Sequence, residues 1–193
     1  MISKLKGVIP DDIYTELDLI LKNRQISASQ LAHILGNCQH ECQWRIYEEN
    51  LNYKPDRLLA IFPTRVKTIE KATSLCKEGV KAIGDFLYGG RMGNSATEGY
   101  TFRGRGCLQL TGKTNYIAFD ATVIDDITNS PDLVKTKYKL TSAFWFFDTN
   151  KIWSLALDVS DKSILAVRKK VNGGTIGLED TSLKVKNFYK LLI

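Results

Sequence analysis

Three segments carry side chains whose types and spacing could do chemistry: FRGRGCLQLTGKTNY at Phe102–Tyr116, HEC at 40–42 and EENLNY at 48–53. Glycines, arginines, an amide and hydroxyls at fixed offsets are poor core material, but they suit the lining of a polar cleft. Carboxyl groups lie in both of the upstream segments. The combination indicates an enzyme that acts on a polar polymer, and a glycan fits best.

The carboxyl pair defines the chemistry. Cleavage of a glycosidic bond requires a protonated acid at the leaving oxygen and a carboxylate that activates water or attacks the anomeric carbon. Glu41 and Glu49 are the predicted pair. Because Glu41 follows an apolar helical face, we expect partial desolvation to keep it protonated, whereas Glu49 stays ionised in wetter surroundings. Taken alone, Glu49 could equally be a surface acid.

The spacing of the pair constrains the backbone. On one straight helix the two carboxyls would lie roughly 12 Å apart along the axis, and the known mechanisms need ~5–9.5 Å. The helix must therefore end or turn between Trp44 and Asn50.

Helical signals dominate the elements that position these residues. Apolar periodicity and capping residues predict eight helices. They run from Pro10 through Leu21, from Ser27 or Ser29 to about Glu41, from Pro55 to Phe62, from about Thr68 to Tyr88, from Asn115 to Val123, around Leu140 to Phe147, from Ser160 to Val171, and from beyond Asn172-Gly173-Gly174 to the C-terminus. Dense glycines from Gly89 to Gly112 predict irregular backbone or a small hairpin. We expect one mainly helical catalytic domain over residues 1–193. Residues around 89–112 could form a small lobe within it.

Composition narrows the partners. The 193 residues include 27 basic and 21 acidic side chains, so the net charge is +6. A basic surface favours polyanions such as nucleic acid, membrane surfaces or the acidic bacterial wall. The basic residues are scattered, and their densest cluster, Arg168–Lys170, is interpreted as a solvated face, so we expect no nucleic-acid partner.

Cysteine usage predicts reduced thiols. Cys38, Cys42, Cys76 and Cys107 form no CxxC pair, and His40 has no second ligand pair at zinc-finger spacing, so we expect neither a metal nor another cofactor. The N-terminal residues lack the apolar run of a signal peptide, and no apolar run approaches 18 residues. We therefore expect synthesis in the cytoplasm without stable membrane insertion.

Several ordered motifs resemble one family. HEC, EENLNYKPDRLLAIFP, YGGRMGN, FRGRGCLQLTGKTNY and VNGGTIGLED resemble the family 19 glycoside hydrolases, specifically the short chitinase-like endolysins of bacteriophages. The resemblance covers roughly Ile26 to Asp180. It implies an all-α, lysozyme-like architecture and an inverting mechanism in which Glu41, in the HE motif, is the acid and Glu49, before NLNY, is the base. It also implies substrate contacts from the cleft segment and the NGG turn, namely Gln109, Thr111, Asn115, Tyr116 and Asn172.

Elementary chemistry agrees with these roles but leaves alternatives open. Amides such as Gln109 and Asn115 can donate to and accept from sugar hydroxyls and N-acetyl groups. Tyr53, Tyr116 or Trp44 could offer a flat apolar face to a pyranose ring. Arg103 and Arg105 are as consistent with bracing a loop or a carboxylate as with touching substrate. Asn172 could serve only a turn. Structural roles are favoured for His33 and His40.

The chain departs from the family's pattern at two places. The spacing from the HE motif to Glu49 is one residue short, so Glu48 and Glu98 remain alternative second carboxylates. Thr181 stands where relatives often have an arginine, so a supporting ion pair is missing or rewired.

The sequence thus predicts a monomeric endolysin that hydrolyses the β-1,4 bonds of peptidoglycan strands. Its positive charge would concentrate it at the anionic wall. The resemblance to phage endolysins also implies a pore-forming partner that releases it to the periplasm at lysis. No wall-binding repeat is visible. The alternatives are a chitinase, a lytic transglycosylase, and an inactive glycan-binding or phage structural module.

Overall fold

The computed structural model describes residues 2–193, and most of them lie in helices. Eleven α-helices occur in this range: α1 (Asp11–Leu21), α2 (Ala28–Cys42), α3 (Pro55–Ile61), α4 (Pro63–Val66), α5 (Ile69–Glu78), α6 (Val80–Tyr88), α7 (Lys113–Asp120), α8 (Leu133–Thr136), α9 (Thr141–Thr149), α10 (Asp161–Asn172) and α11 (Leu178–Leu192). Short 3-10 helices cover Ile2–Leu5 and Ile152–Leu155. Pairing of extended backbone within 2–193 is limited to isolated bridges. The predicted mainly helical fold class is confirmed.

The chain forms two compact units, each with its own core. The first unit contains residues 2–47, 106–108 and 133–193, and the second contains residues 48–105 and 109–132. In the first unit α2 packs along α11 so closely that a Cβ on Gly36 would lie 2.5 Å from Val185 Cγ2. The apolar residues of α3, α5 and α6 form the core of the second unit.

Helix α2 begins and ends at defined residues. The Ser27 hydroxyl accepts a hydrogen bond from the backbone N–H of Gln30, and Gln30 Oε1 accepts one from the backbone N–H of Ser27, which is a capping box. Of the two predicted caps, Ser27 is therefore the correct one. Gln43 and Trp44 have positive φ and turn the chain out of the helix. The helix therefore ends before Glu49, as the spacing required, but at Cys42, which precedes the predicted interval Trp44–Asn50.

One long predicted helix is divided. It starts near the predicted residue: Thr68 is the N-cap, and its side chain accepts from the N–H of Lys71. The prediction of one continuous helix from Thr68 to Tyr88 was wrong, because Gly79, at φ 94°, separates α5 from α6. That φ is unfavourable for residues other than glycine, so the glycine marks the break.

The glycine-rich segment 89–112 has irregular backbone, which was the first of the two predicted alternatives; the second was a small hairpin. Its pairing consists of single bridges such as Arg105 with Leu110, and no hairpin strand forms in it. Residues 106–108 belong to the first unit, and the rest of the segment belongs to the second.

Candidate active site

Glu41 lies in the last turn of α2 and pairs with a buried arginine of α10. Arg168 Nη1 is 2.5 Å from Glu41 Oε1, and the two side chains are 2% and 29% exposed. The expectation of apolar surroundings for Glu41 was therefore wrong. Arg168 was also wrongly assigned to a solvated face, although its position four residues after buried Ile164 was a signal for burial.

Arg168 is itself held in place. Its Nε and Nη2 donate to the carbonyl oxygen of Ile176 at 3.0 and 2.9 Å. Nη1 also lies 3.5 Å from Oδ1 of buried Asn37. A guanidinium with this many fixed partners holds Glu41 in one orientation.

The NGG turn, Asn172–Gly174, contacts the same Ile176 carbonyl as Arg168. Asn172 Nδ2 donates to the Ile176 carbonyl at 2.9 Å, and its Oδ1 accepts from the Gly174 N–H at 2.9 Å. Both ends of this exposed amide are therefore occupied within the turn. The arrangement favours the turn alternative for Asn172 over substrate contact.

Both histidines make contacts within the first unit. His40 Nδ1 is 2.5 Å from Asp180 Oδ2, and the His40 ring lies so close to Gly177 that a Cβ there would clash. His33 Nε2 is 2.8 Å from the carbonyl oxygen of Asp158, and burial lowers the pKa of its imidazole. These contacts fit structural roles. Thr181 is fully buried on α11.

Glu49 lies in the second unit on non-helical backbone. Its N–H donates to the Gly104 carbonyl at 2.9 Å. Its Oε1 accepts from the Tyr88 hydroxyl at 2.6 Å. Burial, and then this hydrogen bond, raise the pKa of Tyr88, so the phenol remains a donor. Sequence reasoning missed Tyr88, although the YGGRMGN motif that begins with it was a signal.

Glu48 occupies a different environment from its neighbour. Its carboxylate pairs with Arg103 and lies 3.4 Å from Arg105 Nε. Arg103 also stacks over the Tyr100 ring at 3.9 Å, and Arg105 lies 2.9 Å from Asp132. Both arginines are buried, so the structure favours bracing of a carboxylate over substrate contact for them.

The other alternative carboxylate is also engaged. Glu98 Oε1 accepts from Lys113 Nζ at 2.7 Å, and Glu98 Oε2 accepts from the Ser95 N–H at 2.8 Å. The bond from Lys113, followed by that from Ser95, lowers the pKa of Glu98 to about 2. A carboxylate with so low a pKa is a weak general base.

Tyr116 was wrongly predicted to face a sugar. Its side chain is fully buried, and burial raises its pKa to about 12. Its hydroxyl donates to the Arg103 carbonyl at 2.9 Å and accepts from Arg105 Nη1 at 3.0 Å. Tyr116 therefore supports the backbone of the arginine segment from inside.

The other polar residues of the cleft segment form a cluster near Gly104. The Thr111 hydroxyl donates to the Gln109 carbonyl at 2.7 Å, and Asn115 Nδ2 donates to the Thr111 carbonyl at 2.9 Å. A Cβ on Gly104 would lie 2.6 Å from Gln109 Oε1. Because the Gly104 carbonyl also accepts from Glu49, the structure brings these predicted residues to the backbone that holds Glu49.

Tyr53 is a half-buried aromatic residue near Glu49. Its ring packs edge-on against Phe62 with the centroids 5.9 Å apart. Burial, and then the charge of Glu49, raise the pKa of its phenol. Trp44, in the first unit, is also half-buried.

An open cavity of about 260 Å³ adjoins Glu49. Its lining lies within the second unit and consists of Glu48, Glu49, Asn50, Leu51, Val80, Tyr100 and Arg103. The lining combines charged, amide and aromatic groups, which suits a polar ligand such as a sugar.

The described residues show neither a metal-binding cluster nor a membrane-spanning helix. Among residues 2–193, no three histidine, cysteine or acidic side chains are grouped so that they could hold a metal ion. Within the same residues, no helix has both the length and the apolar character needed to span a bilayer. All four cysteines are free thiols.

Comparisons with known proteins point to one class. No family model matches the chain. It is 28% identical over 165 residues to a glycosyl hydrolase family 19 domain-containing protein of Haemophilus influenzae, covering 80% of this chain and 76% of that protein. An acidic endochitinase of Petunia hybrida and an acidic 27 kDa endochitinase of Solanum lycopersicum are each 41% identical over 61 residues, which is 31% of this chain and 23% and 24% of theirs.

A solved structure has a similar fold. Chitinase C from Streptomyces griseus superimposes with a TM-score of 0.50 at 18% identity, covering 86% of this chain and 60% of that one. At this identity the likeness concerns the fold, and it agrees with a chitinase or lysozyme-like helical architecture. The sequence relatives are a glycosyl hydrolase family 19 domain-containing protein and two endochitinases, so the chain is similar in sequence to glycoside hydrolases of this type.

Proposed function

We propose that this chain is an endolysin that hydrolyses the β-1,4 glycosidic bonds of peptidoglycan with inversion. The observation that carries the proposal is the state of the two motif glutamates. Each remains partly accessible while a partner orients it: buried Arg168 contacts Glu41, and half-buried Tyr88 contacts Glu49. The similarity to family 19 glycoside hydrolases supports the reaction class.

In this proposal Glu41 is the general acid and Glu49 the general base that activates water. The Tyr88 hydroxyl orients Glu49 through Oε1. Arg168 orients Glu41 through Oε1 in the same way. Both carboxyls would then complete the displacement without a covalent intermediate.

The remaining roles concern recognition. Gln109 and Asn115 would bond sugar hydroxyls or N-acetyl groups, because an amide both donates and accepts. Tyr53 would offer its ring to a pyranose face. Thr111 and Arg103 would act indirectly, by holding Asn115 and Glu48.

The cellular role belongs to the same proposal. A net charge of +6 would attract the enzyme to the anionic wall. A pore-forming phage protein would release the enzyme, as a monomer, from the bacterial cytoplasm to the periplasm at lysis.

Chitin is the second candidate substrate, because two of the relatives are endochitinases. Both polymers present N-acetylglucosamine. Loss of turbidity of permeabilised bacterial cells, compared with release of soluble chitooligosaccharides, separates the two. Mass spectrometry of digested peptidoglycan identifies the bond cleaved: reducing ends indicate hydrolysis, and anhydro sugars indicate a lytic transglycosylase.

The Glu41→Gln variant tests the enzymatic proposal. The amide keeps the shape of the side chain but cannot deliver a proton, so we expect lysis to fall at least about 10²-fold. Binding to purified wall fragments should persist. Wild-type protein that binds wall fragments but never releases glycan products would contradict the proposal and indicate a binding module.

A further inference from the structure

Tyr88 is the last residue of α6, and its hydroxyl donates to Glu49 Oε1 at 2.6 Å. We propose that Tyr88 is a positioning residue, which fixes the orientation of the Glu49 carboxylate. The effect of Tyr88 on catalysis rests on the proposed function. Its effect on the orientation of Glu49 rests on contacts within the second unit.

Glu49 is held at two points. Its N–H bonds to the Gly104 carbonyl at 2.9 Å, and its carboxylate bonds to Tyr88. A side chain restrained at both ends loses most of its rotamer freedom before a substrate arrives. Because the phenol occupies Oε1, Oε2 is the oxygen that would accept the proton of the attacking water.

The loop after α6 fixes Tyr88. Asn94, which is 6% exposed, donates from Nδ2 to the Tyr88 carbonyl at 3.0 Å. Its Oδ1 accepts from the Lys113 N–H, at the first residue of α7, at 2.8 Å. One buried amide therefore ties the end of α6 to the start of α7.

Two glycines make this loop possible. Any Cβ on Gly89 would clash with the carbonyl oxygens of Asp85 and Ala96. Gly93 has φ 79° and lies against Thr114, so a side chain there would be strained as well as crowded. The YGGRMGN motif, to which the sequence assigned no role, is thus explained as the anchor of Tyr88.

The hydrogen bond from Tyr88 to Glu49 can be removed without changing the charge around Glu49. The titratable and charged groups around Glu49 are Tyr88 with Arg91 beside it, Tyr53 with Arg57 beside it, and Glu48 with Arg103 and Arg105. Tyr88 is neutral below its raised pKa, so Tyr88→Phe removes one hydrogen bond and no charge. Any change at Glu49 then reports that bond.

The first test is a carbon-13 NMR titration of the Glu49 carboxyl, whose signal is assigned by its loss in Glu49→Gln. We expect its protonation midpoint in Tyr88→Phe to lie above that of wild type, because a lost donor destabilises the charged form. Tyr189→Phe, the same chemical change in α11 of the first unit, should leave the midpoint unchanged. An equal midpoint in wild type and Tyr88→Phe would overturn the inference.

The second test is the pH profile of kcat/KM on peptidoglycan. In Tyr88→Phe the acidic limb should move to higher pH by the same amount, with kcat affected more than KM. A merely structural role would lower the whole profile without moving the limb, and that result would overturn the inference. If wild-type protein hydrolyses neither polymer, the proposed function fails, and the NMR titration still decides the role of Tyr88.

Discussion

The two proposed catalytic glutamates lie in different units and are oriented by opposite kinds of partner. In the first unit Glu41 ends a capped helix and faces a buried guanidinium. In the second unit Glu49 lies on irregular backbone and accepts from a neutral phenol. The buried arginines of the second unit pair instead with Glu48, the preceding residue. Two adjacent glutamates thus take separate roles.

This difference follows from the cost of burying charge. A buried guanidinium requires a carboxylate within contact distance, because an unpaired buried ion is strongly destabilising. In the second unit Glu48 supplies that charge to Arg103 and Arg105. Glu49 therefore does not have to pair with these arginines. The neutral Tyr88 hydroxyl orients it instead, which leaves the carboxylate able to accept a proton.

The largest expected effect separates these adjacent residues. Glu49→Gln should lower hydrolysis at least about 10²-fold, because the amide cannot accept a proton from water. Glu48→Gln should retain activity at a permissive temperature but lower the free energy of unfolding, since buried Arg103 loses its carboxylate partner and buried Arg105 loses one of the two carboxylates it contacts. Rates on peptidoglycan and denaturant unfolding measure the two effects.

The opposite pattern would assign the base to Glu48. Loss of activity in both variants with equal loss of stability would show that the segment acts only as structure. The thermal midpoint of each variant, measured first, ensures that rates are compared on folded protein.

The next prediction concerns the ion pair of the first unit. Arg168→Met should cost about 3 kcal/mol of unfolding free energy, because Glu41 loses its partner and Ile176 loses two donors. Arg168→Lys keeps the charge but cannot reach Glu41 and the Ile176 carbonyl together, so its loss should be intermediate. Urea titration measures all three proteins.

Lys169→Met is the matched control, since Lys169 is exposed on the same helix. It should change the unfolding free energy by no more than about 0.5 kcal/mol. An Arg168→Met variant as stable as this control would show that the pair is not structural and would leave Glu41 without its proposed orienting group.

The sequence predicted those features that depend on local signals. The Ser27 cap and the capping box that it forms with Gln30 follow from residues within one turn of each other. The break at Gly79 was missed because apolar periodicity continues on both sides of it. A helix break of this kind depends on the backbone angles of a single glycine.

The site was predicted less completely, because its contacts join distant residues. Glu41 meets Arg168 across 127 positions, and Glu49 meets Tyr88 across 39. No spacing rule connects such pairs. Tyr116 was misassigned for a related reason: an aromatic residue in a polar motif suits either a ligand or a core, and only burial decides.

The smallest expected effect tests the last alternative carboxylate, Glu98. Its pKa is lowered from 4.5 to about 2, mainly by Lys113, so its contribution to stability is present above pH 4.5 and is lost as the pH falls towards 2. The thermal midpoint of wild type should therefore fall more steeply over this range than that of Glu98→Gln. Activity near neutral pH should be retained in the variant, because a carboxylate committed to Lys113 and Ser95 has little affinity left for a proton from water. Parallel acid slopes would remove the stabilising role, and a loss of hydrolysis comparable to that of Glu49→Gln would transfer the base from the phenol-bound glutamate to the lysine-bound one.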